Sequence, residues 1–92
     1  MYIPKPIDTS DVILPQEILA LIDMLAENTH ENWAKQKIGE GWIYGNHVDP
    51  NLKLHPCIKE YHSLQESDQL YDINTSIETI KVILKLGYKI TK

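Results

Sequence analysis

The chain reads as mainly α: a small single domain with two principal helices, short extra helices and minor β-strands. Three observations predict this. Apolar residues recur at helical spacing in two places, Ile18, Ile22, Leu25 and Ala26 first and Ile77, Ile80, Ile83 and Leu84 later. Both stripes carry helix start and stop signals. And 92 residues make one domain. A chain of this size buries roughly 60–65% of its unfolded surface, enough to fold alone with little stability in reserve.

The elements follow in order. Residues 1–14 hold two prolines and the polar cluster Asp8-Thr9-Ser10-Asp11, which predicts an extended arm with a turn. Pro15 suits the first position of a helix, where its missing N–H costs nothing. Gln16 and Glu17 follow, and negative charge in the first turn suits the helix dipole. This helix is expected over residues 15–37, ended by Gly39 and Gly41. Residues 39–61, with three glycines and two prolines, read as a long loop with short strands at 42–44 and 57–61. Loops this long are usually functional or disordered, and the aromatic and apolar content argues against disorder. Ser63-Leu64-Gln65-Glu66 is a capping box that opens a short helix to about residue 71. Thr75-Ser76-Ile77-Glu78 is a second box, with Asn74 a competing cap. The helix it opens stops at Gly87, a left-handed C′ residue, with Tyr88 folding back on the last turn. Residues 89–92 are expected to add a short strand.

Composition excludes several functions. The net charge is −4, and all nine basic residues are scattered lysines, with no arginine. Nucleic-acid binding needs clustered Lys and Arg, so it is not expected. One cysteine forms no internal disulfide. The N-terminus has no apolar signal region, and no window approaches the ~20 apolar residues of a membrane span. A cytoplasmic, soluble protein without membrane contact is the expectation.

The chemistry concentrates in residues 25–57, which hold both tryptophans, three of the four histidines and the only cysteine. Aromatic faces beside neutral hydrogen-bonding groups are how proteins hold flat, polar small molecules. At 100° per residue the apolar arc of the first helix continues through Thr29, Asn32, Trp33 and Gln36, with His30 at its edge. The inward face thus changes from apolar to polar-aromatic after Ala26. His30, Trp33, Tyr44 and Asn46 are the candidate ligand-binding residues. The competing reading makes Trp33 core and His30 the partner of a buried hydrogen bond, and loop anchoring suits Trp42.

Catalytic and metal signals are weak. Glu27-x-x-His30 is half of a carboxylate-bridged di-metal motif, but no second copy exists. His55-Pro56-Cys57 is too tight for paired zinc ligands, and adding His62 leaves a fourth ligand missing. Cys57 is the only candidate nucleophile, and nothing marks an electropositive setting around it. No catalytic residue, metal or cofactor is expected.

Taken together, the motifs resemble the RyR domain, the repeat of the ryanodine-receptor calcium-release channels, also found as single copies in bacterial proteins. The resemblance runs in register from Pro4-Lys5-Pro6-Ile7-Asp8-Thr9-Ser10 and Leu14-Pro15, through Leu25-Ala26-Glu27-Asn28, His30 and Trp33-Ala34. It continues with Gly41-Trp42-Ile43-Tyr44-Gly45, His55-Pro56-Cys57 and Tyr61, and closes on Glu78-Thr79, Lys81, Leu84 and Leu86-Gly87-Tyr88. It implies a mainly helical, non-enzymatic domain of the single-copy bacterial type. In the channels the repeats pack as two-fold pairs, so a homodimer is the implied assembly here. The channel version looks like an adenine-nucleotide site, with the base against the tryptophan matching Trp33 and near the histidine matching His30. The family often has Arg where this chain has Lys37, Val48 and Ile73, which weakens any phosphate leg using those positions. Two functions stay open: a ligand-sensing module for an adenine-nucleotide-like molecule, or a purely structural, protein-interaction module.

Overall fold

A computed structural model describes residues 1–92. The elements are α1 (Gln16–Leu19), α2 (Ile22–Gly39), β1 (Ile43–Tyr44), β2 (Leu54–His55), a 3-10 turn (Tyr61–Ser63) and α3 (Glu66–Lys85). The molecule is mainly helical, and α2 packed on α3 is its frame.

The first helix is not continuous. It tightens at Ala20–Leu21, where the Leu21 amide bonds the Ile18 carbonyl at 2.9 Å, and restarts at Ile22. No glycine or proline signals this break. α1 has no buried side chain, so nothing in its packing holds it in line with α2, whose buried face starts at Ile22. Pro15 is the residue just before the helix, not its first position. α2 ends as expected. Gly41 adopts φ 95°, its amide meets the Ile38 carbonyl at 3.0 Å, and the Trp42 amide meets the Lys37 carbonyl at 3.0 Å. That is a Schellman ending, which needs a residue tolerant of the left-handed region. Gly87 closes α3 in the same manner, with the Tyr88 amide folded back to Ile83.

The second half corrects the sequence reading. The two helices expected there are one helix, α3, and it is the longest in the chain. Neither capping box forms: α3 begins without a side-chain cap, and Ser63 belongs to the 3-10 turn. Ser76 instead turns its hydroxyl back to the Asp72 carbonyl at 2.9 Å and is buried. It lies 3.3 Å from the Thr29 hydroxyl, itself bonded to the Leu25 carbonyl. Both hydroxyls are satisfied within their own helices, so the helices can pack through small polar residues without a buried polar penalty. Packing on α2 thereby outweighs the local tendency of Asn74, Thr75 and Ser76 to start a new helix.

β1 and β2 form a two-stranded parallel pair, Ile43 opposite Leu54 and Tyr44 opposite His55. The second strand lies at Leu54–His55, not at 57–61, because Asp49 and Leu54 exchange backbone hydrogen bonds of 2.9 Å and turn the chain back early. Residues 89–92 are not a strand. The tail returns along α1, and Ile90 and Thr91 face Ile18 and Leu21 across a cavity. The N-terminal arm is tied to α3 at two points: the Thr9 hydroxyl donates to Glu78 at 2.6 Å, and Lys85 pairs with Asp11 at 2.9 Å.

The core is thin. Leu14, Ile22, Ala26, Ala34, Tyr61 and Leu64 are its buried apolar residues. No helix is long and apolar enough to cross a membrane.

Candidate functional site

The polar-aromatic half of α2 sits differently from its helical projection. The buried stripe runs Ile22, Ala26, His30, Ala34, so His30 is at the centre and not the edge. Asn32 and Gln36 are exposed, bonding the Asn28 carbonyl and the Glu40 carboxylate. The face rotates because α3 and the segment at 57–64 together cover the i, i+4 row through residues 26, 30 and 34.

His30 is 3% exposed. Its Nε2 lies 2.7 Å from the Lys59 carbonyl, which can only accept, so Nε2 carries the proton. In the neutral ring Nδ1 is then a lone pair. It makes no hydrogen bond, and the nearest acid oxygen, on Asp72, is 3.9 Å away. The His30 ring stacks near Trp33, with centroids 5.7 Å apart and planes at 27°. Trp33 is half-buried and meets His55 edge-on at 4.8 Å.

These three rings border a cavity of about 170 Å³, bounded on the far side by Leu64, at the end of the 3-10 turn, and by Asp68, Tyr71 and Asp72 of α3. The loop after α2 thus positions part of the site, because the β1–β2 pairing delivers His55 to the Trp33 ring. His55 accepts the Cys57 amide on Nδ1 at 3.0 Å. Burial, and then the charge of Lys37, lower its pKa, so the ring stays neutral near pH 7. Burial raises the Asp72 carboxyl above the usual range, partly offset by His30. Burial and then Asp68 push the Cys57 thiol up, which keeps this cavity-lining sulfur in the unreactive thiol form.

Of the four residues singled out from the sequence, His30 and Trp33 meet at this cavity. Tyr44 and Asn46 are exposed on the loop and do not line it. Trp42 anchors the loop, with the Lys37 ammonium 4.9 Å from its ring centre. Glu27 pairs with His62 at 3.3 Å on the outside, away from His55 and Cys57. Asp68, Tyr71, Asp72 and His55 are polar lining residues that sequence reading did not assign to the ligand site. Asp68 and Asp72 are one turn apart on one face of α3, a like-charge i, i+4 pair that is mildly unfavourable by itself. A helix read as ending near residue 71 hides that pair, and a continuous helix reveals it.

Two long helices and a long aromatic loop around a small cavity of mixed apolar and polar lining make this a small helical module. The family model of the RyR domain matches residues 2–92, and the chain belongs to the RyR domain family.

Proposed function

We propose that this RyR domain binds a flat, nucleotide-like small molecule reversibly and without catalysis, in the cavity between α2 and α3. The observation that carries the reading is a half-buried indole, Trp33, opening on a cavity that also holds His30, His55 and two carboxylates. The base would lie against Trp33, and the polar groups would hydrogen-bond its edge. At about 170 Å³ the cavity is well below the roughly 300–1,000 Å³ of a full drug-sized pocket, so it accepts a head group and leaves the rest of the ligand outside.

Thermal melts and calorimetric titration with adenosine and ATP test this. Ligand at ~100 times its Kd stabilises by ~2.7 kcal/mol, a rise in Tm on the order of 10 °C for a domain of this size. Trp33→Ala should abolish the shift and still fold. If the variant unfolds and wild type binds no adenine compound at millimolar concentration, Trp33 is core and the reading falls.

A second reading, an interaction module forming a two-fold homodimer, has its own support. Only nine of 92 residues are buried, while large side chains such as Ile13, Met24, Leu52 and Leu86 are mostly exposed. Surface of that kind favours association.

A further inference from the structure

The N-terminal arm and the C-terminal tail each leave backbone and apolar surface unpartnered. Met1, Tyr2, Ile3 and Ile7 expose half or more of their surface. No backbone hydrogen bond in the molecule involves residues 1–7, and none involves residues 89–92. The arm is held only at its root, where Thr9 bonds Glu78 and Asp11 pairs with Lys85. Between α1 and the tail lies a groove of about 540 Å³, and Pro15, Ile18, Leu21 and Ile90 give it an apolar lining. None of residues 1–7 lines it.

The arm's sequence suits such a groove along one edge. In an extended chain, successive side chains alternate faces and successive N–H groups alternate edges. Met1, Ile3, Lys5 and Ile7 therefore share one face and one edge, and Tyr2, Pro4 and Pro6 the other. The odd-numbered edge keeps its N–H donors. The even-numbered edge has lost two of them to proline, so it cannot carry a ladder. The prolines also preset the extended conformation, which lowers the entropy lost on docking. Ile90 and Thr91 offer a free backbone edge beside the groove, of the kind that takes an added strand.

We infer that two copies of this chain exchange arms: residues 1–7 of each lie in the groove between α1 and the tail of the other. Ile3 and Ile7 pack against Ile18, Leu21 and Ile90, and the odd-numbered amides pair with the tail backbone. Seven extended residues reach roughly 23 Å, and the six helical steps from Pro15 to Leu21 rise about 9 Å, so one arm spans the groove. In a two-fold exchange each copy contributes seven arm residues and the eight that line its groove, fifteen in all. A standard interface uses about 20–30 a side, so the dimer is weak and its mass depends on concentration. Glu17 and Lys92 also line the groove, so Lys5 meets one charge of each sign, and the pairing rests on apolar contact and backbone bonds. The proline edge faces outward and stops further strands from adding, so the exchange closes at two copies. The inference rests on the interaction reading above and adds the segment and the surface that make the contact.

Sedimentation at rising concentration tests it, together with hydrogen exchange of the Ile3, Lys5, Ile7 and Thr91 amides. Wild type should gain mass toward two copies by high micromolar concentration, and these amides should gain protection in step. Ile3→Asp and Ile90→Asp each change a side chain that is exposed in the single copy. Both should keep the wild-type melting temperature when dilute, and each should raise the dissociation constant at least tenfold. Lys5→Pro removes a donor from the pairing edge and should weaken the dimer at least tenfold, whereas Lys5→Ala should change it less than threefold. A dimer left intact by Ile3→Asp or by Ile90→Asp, Lys5→Pro no weaker than Lys5→Ala, or arm protection already complete in the dilute monomer, which is docking in the copy's own groove, would each overturn the exchange and leave the interaction reading standing. A monomer mass held at high micromolar concentration overturns both.

Discussion

At the scale of single residues, two side chains near the site show opposite costs. The Tyr61 hydroxyl is buried with no hydrogen-bond partner, in a ring that is 2% exposed. An unsatisfied buried polar group costs about 1–3 kcal/mol. Tyr61→Phe is therefore expected to raise stability, by up to about 1 kcal/mol, read as a higher Tm. A fall in Tm would mean that the hydroxyl is satisfied in solution. Trp33→Ala is expected to destabilise by less than the ~3–5 kcal/mol of a fully buried ring, because part of the indole already meets solvent. Denaturant titration of this variant gives that number independently of any ligand.

At the scale of elements, the loop between α2 and the 3-10 turn depends on one close approach. A Cβ added at Gly45 would come within 2.6 Å of the Leu54 Cβ, on the facing strand. That atom is not the free end of a flexible chain, so Gly45→Ala must push the strands apart, at a cost on the order of 1–3 kcal/mol. His55 would move with β2 and lose its 4.8 Å contact with Trp33. Tryptophan fluorescence of the variant, compared with its Tm, separates the local shift from unfolding. The N-terminal arm is the other element with a clear signature. Asp11 is held below the usual carboxylate range chiefly by its bond to Lys85, and Asp8 by the Ser10 amide and hydroxyl. Lowered folded-state values mean stability present above the unfolded pKa, about pH 4, and lost as pH falls through the lower folded values. Lys85 is raised by the same bond, so its share is present below its unfolded pKa and lost as pH rises through the folded one. Asp72 has the reverse sign to Asp11: its folded pKa is raised, so its penalty at neutral pH eases as pH falls toward and below about 4. Acidification should release the arm while α2 and α3 stay packed. Hydrogen exchange of the Val12 amide, bonded to the Thr9 carbonyl at 2.9 Å, is the measurement, and simultaneous loss of α2 protection would contradict it.

At the scale of the whole molecule, the fold is broad and thin. The radius of gyration is 15.8 Å, against about 12 Å for a compact domain of this length. The extents of 44 × 37 × 23 Å describe a flattened body with its arm and tail spread around the helix pair. A chain with so little buried apolar surface gains by covering more of it. The interaction reading therefore expects a concentration-dependent mass in analytical ultracentrifugation. A monomer mass held at high micromolar concentration would remove support for the homodimer and leave the cavity reading untouched.

Much of this molecule was legible in its residues. Helix content, both glycine-ended Schellman stops and the strand at Ile43–Tyr44 follow from local chemistry, because a left-handed turn or an apolar stripe is a property of a few neighbouring residues. Family membership was legible for a similar reason: its motifs recur in order along the chain. The placement of His30 and Trp33 beside one another also follows locally, since three residues on a helix is one turn. What remained needed the tertiary structure. Whether Ser76 starts a helix or lies within one depends on Thr29, 47 residues away. That His30 is the centre of the buried face, bonded to Lys59, depends on a segment 29 residues on. The wall formed by Asp68 and Asp72 exists only because α3 is continuous and packs across α2. Local propensities differ by tenths of a kcal/mol to about 1 kcal/mol per residue, and burial across a helix pair outweighs them, so the wall opposite Trp33 was decided by packing.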